Sequence, residues 1–357
     1  MNLKTLKAIR NIFGRNNKKL PVLDCLYIDS QFLYFTHLDL SIRIKHYFPF
    51  KEGSPAIVIN AVNFIARIAT IKAPYLINSD EADNITFENS ASVTKIKGLH
   101  PAEYPLDFLK QEYKELFTLS GSEIRLMNIA KEFTADDDDF RPVMSMVCIA
   151  KDHIVSSDAH KLYYRQIKRK SEIDVLIDKR AIRLMMLSGG SSFVVSCHNS
   201  KFCAESDDMT IYWNSEQSIA NNLISSGNYP NWKSVVPKTE KQVIIPVSEI
   251  MQAIKAVSFA INNVSHLLRC EIKGDILTIE GRDIDFEMYA SEKISILNPG
   301  NVEIKYGVKA DFIMQILKMF KDEGRPQITM GFTDETHAFI FADAMLLMPM
   351  MISDYNN

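Results

Sequence analysis

Ala344-Met345-Leu346-Leu347-Met348-Pro349-Met350-Met351-Ile352 is the run from which the chain is best read. Nine apolar residues are too few for a helix that crosses a bilayer, which takes roughly 20. Pro349 has no amide hydrogen to donate, which argues against a helix interior or a central strand. The reading is an edge or final strand that breaks at Pro349 and continues along the surface. Methionine-rich apolar surface adapts its shape and suits several partners bound in turn. The plainer reading is a last core strand, and the rest of the chain decides between them.

Working back from that tail, apolar spacing predicts strands at 338–341 and 327–330 and a helix carrying Phe312, Ile313, Ile316, Leu317 and Phe320. Before it come strands at 286–290, 276–280 and 267–272, and a helix from Ser248 carrying Ile250, Ile254 and Val257. The same order stands upstream. Ser122 caps a helix with Ile124, Met127 and Ala130, followed by strands at 144–149, 154–156 and 162–167. Asp178 then caps a helix with Ile182, Met185 and Met186 that Gly189-Gly190 ends, and strands follow at 192–197, 202–205 and 210–213. A first pass opens with a helix over 3–13 capped by Asn2, with strands at 25–28, 32–35, 40–44 (one wet face) and 56–59. Asn60 caps its second helix, whose apolar side is Val62, Phe64, Ile65 and Ile68, before strands at 84–88 and 92–96. The first helices start at 2, 122 and 248, spacings of 120 and 126. Three copies of helix–strands–helix–strands define an α+β chain of three similar domains, 1–118, 119–242 and 243–357. Proline-punctuated links, His100–Leu106 and Tyr229–Pro237, close the first two.

With 46% apolar and 24% charged residues in 357, the composition is that of a soluble globular protein. A formal charge of −3 confines any nucleic-acid surface to local patches. Cys25, Cys148, Cys197, Cys203 and Cys270 are odd in number and form no Cys-x-x-Cys pair, so free buried thiols fit better than a disulfide framework or zinc site. The N-terminus has no apolar core like that of a signal peptide, and the expectation is a cytoplasmic protein with no membrane partner.

Chemistry-bearing clusters are sparse. Asp136–Asp139 has the charge to hold a metal, but four consecutive carboxylates with no flanking His or Glu arrangement read as a solvated loop. Ser188-Gly189-Gly190-Ser191 lacks the lysine of a phosphate loop. Ser157-Asp158-Ala159-His160 offers a nucleophile, an acid and a base, yet sequence neighbours do not make a triad and no nucleophile elbow surrounds them. A metal-dependent hydrolase using Asp136–Asp139 with Asp158 and His160 is the enzymatic alternative; the expectation is a protein without catalytic activity, metal or cofactor.

Four segments in order carry a resemblance. Leu20-Pro21-Val22-Leu23 with Thr36-His37-Leu38-Asp39-Leu40, Ser156-Ser157-Asp158-Ala159-His160-Lys161-Leu162, Tyr229–Pro237 and Met348-Pro349-Met350 resemble the bacterial sliding clamp, the beta subunit of DNA polymerase III. That family shows Leu-Pro-Ile-Leu and Thr-Asp-Leu-Glu, then Thr-Asp-Gly-His-Arg-Leu, Phe-Pro-Asp-Tyr with basic residues, and a final Met-Pro-Met-Arg. The resemblance spans the chain. It implies two chains joined head to tail in a closed ring, helices inside and sheets outside, that encircles duplex DNA and tethers the polymerase. The implied partners are double-stranded DNA without sequence preference, the DNA polymerase III alpha subunit, the clamp loader, other clamp-motif proteins and a second copy of the chain.

Matched residue by residue, the implied partner pocket between the second and third domains is Met144, Ser157, Ala159, His160, Lys161 and Leu162, with Pro230, Ser234 and Val235 from the link and Met348, Pro349, Met350, Met351 and Ile352 from the tail. Partners of the family insert a short linear motif containing Gln and Leu or Phe. A slippery pore needs spread positive charge, and the helices supply Lys4, Lys7 and Arg10, Arg67 and Lys72, Arg125 and Lys131, Lys179, Arg180 and Arg183, Lys255, and Lys318 with Lys321; Arg15 and Lys18 add a basic turn. Ring closure is expected to set Ile96 against the region of Phe259 and Ile261. Three departures stand out. Ala159 replaces the family's Gly, Ser234 one member of a basic pair, and Met351 the final Arg. The tail Ser353–Asn357 also runs past the usual end. The alternatives within this resemblance are the main clamp of a divergent lineage, an accessory clamp with fewer partners, or a non-DNA scaffold that kept the fold.

Overall fold

The computed structural model describes residues 2–14, 20–136, 142–168, 173–215 and 229–352. A first pass of elements is α1 (Leu3–Ile12), β1 (Cys25–Ile28), β2 (Phe32–Thr36), β3 (Leu40–Lys45), β4 (Ile57–Asn60), α2 (Ala61–Thr70), β5 (Leu76–Ser79), β6 (Asn84–Asn89) and β7 (Ser92–Lys97). The second is β8 (Lys114–Leu119), α3 (Gly121–Ala130), β9 (Met146–Ala150), β10 (His153–Ser157), β11 (Lys161–Gln166), β12 (Val175–Asp178), α4 (Lys179–Met186), β13 (Phe193–His198), β14 (Lys201–Glu205) and β15 (Met209–Asn214). The third is β16 (Lys241–Pro246), α5 (Val247–Val257), β17 (Leu267–Lys273), β18 (Ile276–Asp283), β19 (Met288–Ser295), β20 (Ile304–Lys309), α6 (Ala310–Asp322), β21 (Gln327–Phe332), β22 (Phe339–Phe341) and β23 (Met345–Leu347). Each pass holds helix, four strands, helix, three strands, with one strand leading the second and third passes; the helix–strands–helix–strands order is the one the apolar spacing predicts. Helices pack in matching pairs, α1 on α2, α3 on α4 and α5 on α6.

The caps explain several helix starts. Asn2 accepts from the Thr5 amide at 2.9 Å, and Asn60 from the amides of Val62 at 3.0 Å and Asn63 at 3.3 Å. Asp178 caps α4 through the Arg180 amide. The cap of α3 is Ser120, not Ser122, because Ser120 and Glu123 exchange bonds in a capping box. Strands 5, 8, 12, 16 and 20 escape the sequence reading. The last four run into the following helix with at most one intervening residue. At the last three of these the apolar period changes with no Gly or Asn between strand and helix to mark it. Met144 lies in a 3-10 turn (Pro142–Ser145) and not in a strand, and Val62 faces outward from α2.

The chain forms two compact units. Unit 1 comprises 1–131, 146–152 and 168–228; unit 2 comprises 132–145, 153–167 and 229–357. Both draw on the expected central domain.

In unit 1 an eight-stranded antiparallel sheet has the order β4-β1-β2-β3-β15-β14-β13-β8, and β5-β6-β7 form a smaller sheet. The expected wet face of β3 is partly covered: Arg43 is half-buried and Lys45 exposed, but Ser41 is buried along with Leu40, Ile42 and Ile44. Trp213, 1% exposed, stacks on Phe202 and donates its indole hydrogen to the Leu176 carbonyl at 2.9 Å.

In unit 2, β10-β11-β23-β22-β21-β16 lie side by side and β19-β18-β17-β20 form a second sheet. The tail strand β23 is therefore interior, with Leu346 facing Leu162 on one side and Ile340 on the other. It is a final strand but not an edge strand. Pro349 is tolerated because the ladder ends before it. The five cysteines are free and buried, and no described helix is long and apolar enough to cross a membrane.

Candidate partner-binding site

Every residue of the expected pocket falls in unit 2, and the hairpin joining β10 to β11 is its centre. The turn Asp158–Lys161 is closed by local polar bonds. Asp158 Oδ1 accepts from the amides of His160 at 2.9 Å and Lys161 at 2.8 Å. Ser157 Oγ donates to the Lys161 carbonyl at 2.9 Å and accepts from the Ala159 amide at 3.1 Å. This geometry places Ala159 at φ 74, the left-handed region where a Cβ costs energy and glycine does not.

Lys161 is pulled inward. It is 5% exposed, its ammonium 3.1 Å from Asp158 Oδ2 and 2.6 Å from the Glu132 carbonyl. The same ammonium lies 5.3 Å from the ring centres of Phe133 and Phe312. It acts as a strut that ties the turn to 132–133 and α6, so its charge does not face a partner. Asp158 is equally committed: one oxygen serves two amides and the other Lys161, leaving no oxygen aimed at the His160 ring. The serine–acid–histidine cluster is thus a turn. Asp136 is exposed, and Asp137–Asp139 lie outside the described residues. Among the described residues no group of three His, Cys, Asp or Glu side chains is placed to hold a metal.

The tail builds one wall. The Met348 amide donates to the His160 carbonyl at 2.8 Å, continuing the β11–β23 pairing past the strand end. After Pro349 the chain crosses to β20, where the Met350 amide donates to the Gly307 carbonyl at 2.7 Å. Burial changes sharply along this run. Leu346 and Leu347 are at most 1% exposed, Met348 is 37% and Met351 94%. Leu162 and Met144 are buried, whereas His160 and Met348 reach solvent.

Phe312 completes this face. It is half-buried on α6, its ring 6.1 Å from that of His160, with the Lys309 ammonium 4.7 Å from its centre. Sequence reasoning counted Phe312 with the core face of its helix. The available signal was that α6 carries apolar residues beyond its buried face, Phe312, Met314 and Met319. Across β11, Trp232 stacks on Tyr164 with ring centres 5.5 Å apart and sits 5.1 Å from His153. That stack anchors the short turn Trp232–Val235, on which Ser234 and half-exposed Val235 point outward beside exposed Pro230. Burial pushes the Tyr163 phenol up to about 12.

The basic residues sort into three groups. Lys4, Lys7, Lys72, Arg125, Arg183, Lys255, Lys318 and Lys321 are exposed and have no carboxylate partner among the described residues. Arg10, Arg67, Lys131 and Lys179 are half-buried, and Arg67 donates to Ser92 Oγ at 2.9 Å. Arg180 departs from expectation, because its guanidinium is held by Asp178 and Asp39. Both carboxylates favour its charged form, but that charge is already spent on them. Arg15 and Lys18 lie outside the described residues. At the expected ring contact, Phe259 is 65% exposed and Ile96 half-buried, while Ile261 is packed inside unit 2.

The architecture is the DNA sliding-clamp fold, established by solved structures. The DNA polymerase III subunit beta of Pseudomonas aeruginosa superposes with a TM-score of 0.83 at 16% identity, over 98% of this chain and 97% of that one. The beta subunit from DNA polymerase of Streptococcus pyogenes gives 0.82 at 16%, over 98% and 97%. The Helicobacter pylori beta clamp bound to a DNA ligase peptide gives 0.78 at 16%, over 98% of each chain. No protein-family model and no curated protein sequence matches the chain.

Proposed function

We propose that the chain is a DNA sliding clamp, a non-catalytic cytoplasmic processivity factor that closes into a two-chain ring around duplex DNA and holds replication proteins by short peptide motifs. The observation that carries this reading is the unit 2 hairpin on a clamp fold: buried Leu162 on a turn whose His160 is exposed, its carbonyl accepting from the amide of exposed Met348 and its ring 6.1 Å from the half-buried Phe312 ring. A preformed groove with a few apolar anchors suits an extended motif, and hot-spot side chains then carry most of the energy. The peptide on the H. pylori clamp, from a DNA ligase, supports this class of partner. The expected partners are the polymerase III alpha subunit, the clamp loader and other motif-bearing proteins. The three-fold helix–strand repeat supports three clamp domains with the pocket at the second and third.

Ring closure would join two sheet edges. β7 ends the small sheet of unit 1 and carries exposed Val93 with Ile96; β19 ends the second sheet of unit 2, and Phe259, Ile284 and Phe286 are exposed in that unit. Free edges with apolar neighbours are templates for pairing with another chain. The exposed lysines and arginines of the helices would face the phosphates, making contacts that carry no sequence information.

The test is fluorescence anisotropy with a labelled peptide carrying the Gln-Leu-Phe motif. Met348→Ala is expected to weaken binding about tenfold while leaving the thermal midpoint in place, since Met348 is 37% exposed. Leu162→Ala should weaken binding and also lower stability. Unchanged affinity in both variants overturns the pocket assignment.

A further inference from the structure

Unit 1 repeats the construction of the unit 2 site. In both, a two-strand hairpin lies beside a third strand in one register. Thr36 pairs with Ser41 as Ser157 pairs with Leu162. Leu40 and Ser41 face Trp213 and Tyr212 as Lys161 and Leu162 face Leu347 and Leu346. The Leu38 amide donates to Thr36 Oγ1 at 3.2 Å and Leu38 has φ 67, matching Ala159 on Ser157. Beyond the ladder, the Asn214 amide donates to the Asp39 carbonyl at 2.9 Å, the counterpart of Met348 on His160. The links agree as well: Tyr104-Pro105 precedes a 3-10 turn at Asp107–Lys110, as Tyr229-Pro230 precedes one at Trp232–Val235.

A cavity of about 160 Å³ opens at this place. Thr36, Leu38, Asp39, Ser41, Pro105 and Asn214 line it, the counterparts of Ser157, Ala159, His160, Leu162, Pro230 and Met348. We propose that this cavity is a second peptide-binding site, and that it takes an extended segment through an arginine side chain. The proposal rests on reading the unit 2 site as a peptide site.

The chemistry of the lining sets the occupant. Where unit 2 offers Leu162 and Met348, unit 1 offers Ser41 and Asn214, so an aliphatic anchor is disfavoured. Its remaining wall is aromatic: Phe108 and Tyr113 lie 4.8 and 5.8 Å from Tyr212. Planar guanidinium groups stack on such rings and bond carboxylates with the same plane. Two carboxylates, Asp39 and Asp107, line the cavity against one ammonium, Lys201. Arg180 fixes Asp39 in place. Asp107 is 78% exposed and paired with the 75% exposed Lys110, with Lys201 also acting on it, a surface arrangement that an incoming cation can exchange at little cost. The volume fits one side chain, so the rest of the peptide would lie along the turn.

The probe is labelled acetyl-Gly-Leu-Arg-Leu-Gly-amide, with a citrulline twin that keeps the shape and loses the charge, measured on the full chain beside the Gln-Leu-Phe peptide. Binding of the arginine peptide should fall about tenfold with citrulline, with Asp107→Lys and with Phe108→Ala, and should be unmoved by Met348→Ala. Asp107→Lys alters an exposed residue, so it decides even if Phe108→Ala misfolds. Equal affinity for the citrulline twin, indifference to Asp107→Lys, or loss in Met348→Ala overturns the second site. If the Gln-Leu-Phe peptide ignores Met348→Ala while the arginine peptide still needs Asp107, the unit 2 reading fails alone.

Discussion

Ala159 and Leu38 hold left-handed backbone at φ 74 and 67, each at the tip of a hairpin. Such a conformation costs an L-residue roughly 1–2 kcal/mol, of which glycine's greater freedom in the unfolded chain returns a part. Ala159→Gly is therefore expected to stabilise the chain by about 0.5–1 kcal/mol, read as a raised midpoint in urea. A lowered midpoint would show that the methyl group makes a contact worth more than the strain. The turn itself is held by Asp158 and Lys161, whose ammonium is buried against a carboxylate, a carbonyl and two rings. A positive residue at this place looks partner-facing in a sequence; its fourfold engagement makes it part of the scaffold.

Among the elements, the segment after Pro349 depends on one glycine. A Cβ on Gly307 would lie 2.8 Å from the Met350 carbonyl oxygen and 2.7 Å from Leu267 Cδ1. Backbone cannot yield to that approach as a long side chain can. Gly307→Ala should therefore break the bridge between β20 and Met350 and free the tail wall of the site. The expected result is a loss of motif-peptide affinity of about tenfold, with β23 still paired because its ladder ends before Pro349. Protection of the Leu346 and Leu347 amides from hydrogen exchange would check the second half. Loss of that protection would mean that the tail strand and the segment after it form one cooperative piece.

For the whole molecule, the decisive quantity is mass. A ring of two chains would weigh twice 40.7 kDa and persist on dilution in light scattering, while retention on nicked circular DNA should disappear when the circle is linearised. Charge reversal of Lys4, Lys7 and Arg125, which are exposed on α1 and α3, should shorten retention without changing the mass. A species of 40.7 kDa at every concentration would leave the fold intact and remove unaided ring closure. A topological link would let a chain of net charge −3 serve, since such a ring need not grip the duplex tightly.

The sequence by itself determined the repeat. Apolar residues at helical spacing recur three times, and their caps at Asn2, Asn60 and Asp178 are local bonds that a few residues specify. It also determined the turn at Ser157-Asp158, whose chemistry is written in consecutive residues; that the segments around it form a partner site is what the resemblance implies. Only the tertiary structure decided which strands are interior. β23 and β3 each pair on one side with a strand distant in sequence, β11 and β15, and Pro349 in particular misleads about the first. The roles of Lys161, Arg180 and Phe312 were likewise decided by contacts with remote residues: the Glu132 carbonyl, Asp39 and His160. A charge or ring shows its type in sequence, but whether it faces solvent or a buried partner depends on what the fold brings beside it. The kinship of the two hairpin sites is a property of register, and register between strands far apart in the chain exists only once the sheets have formed.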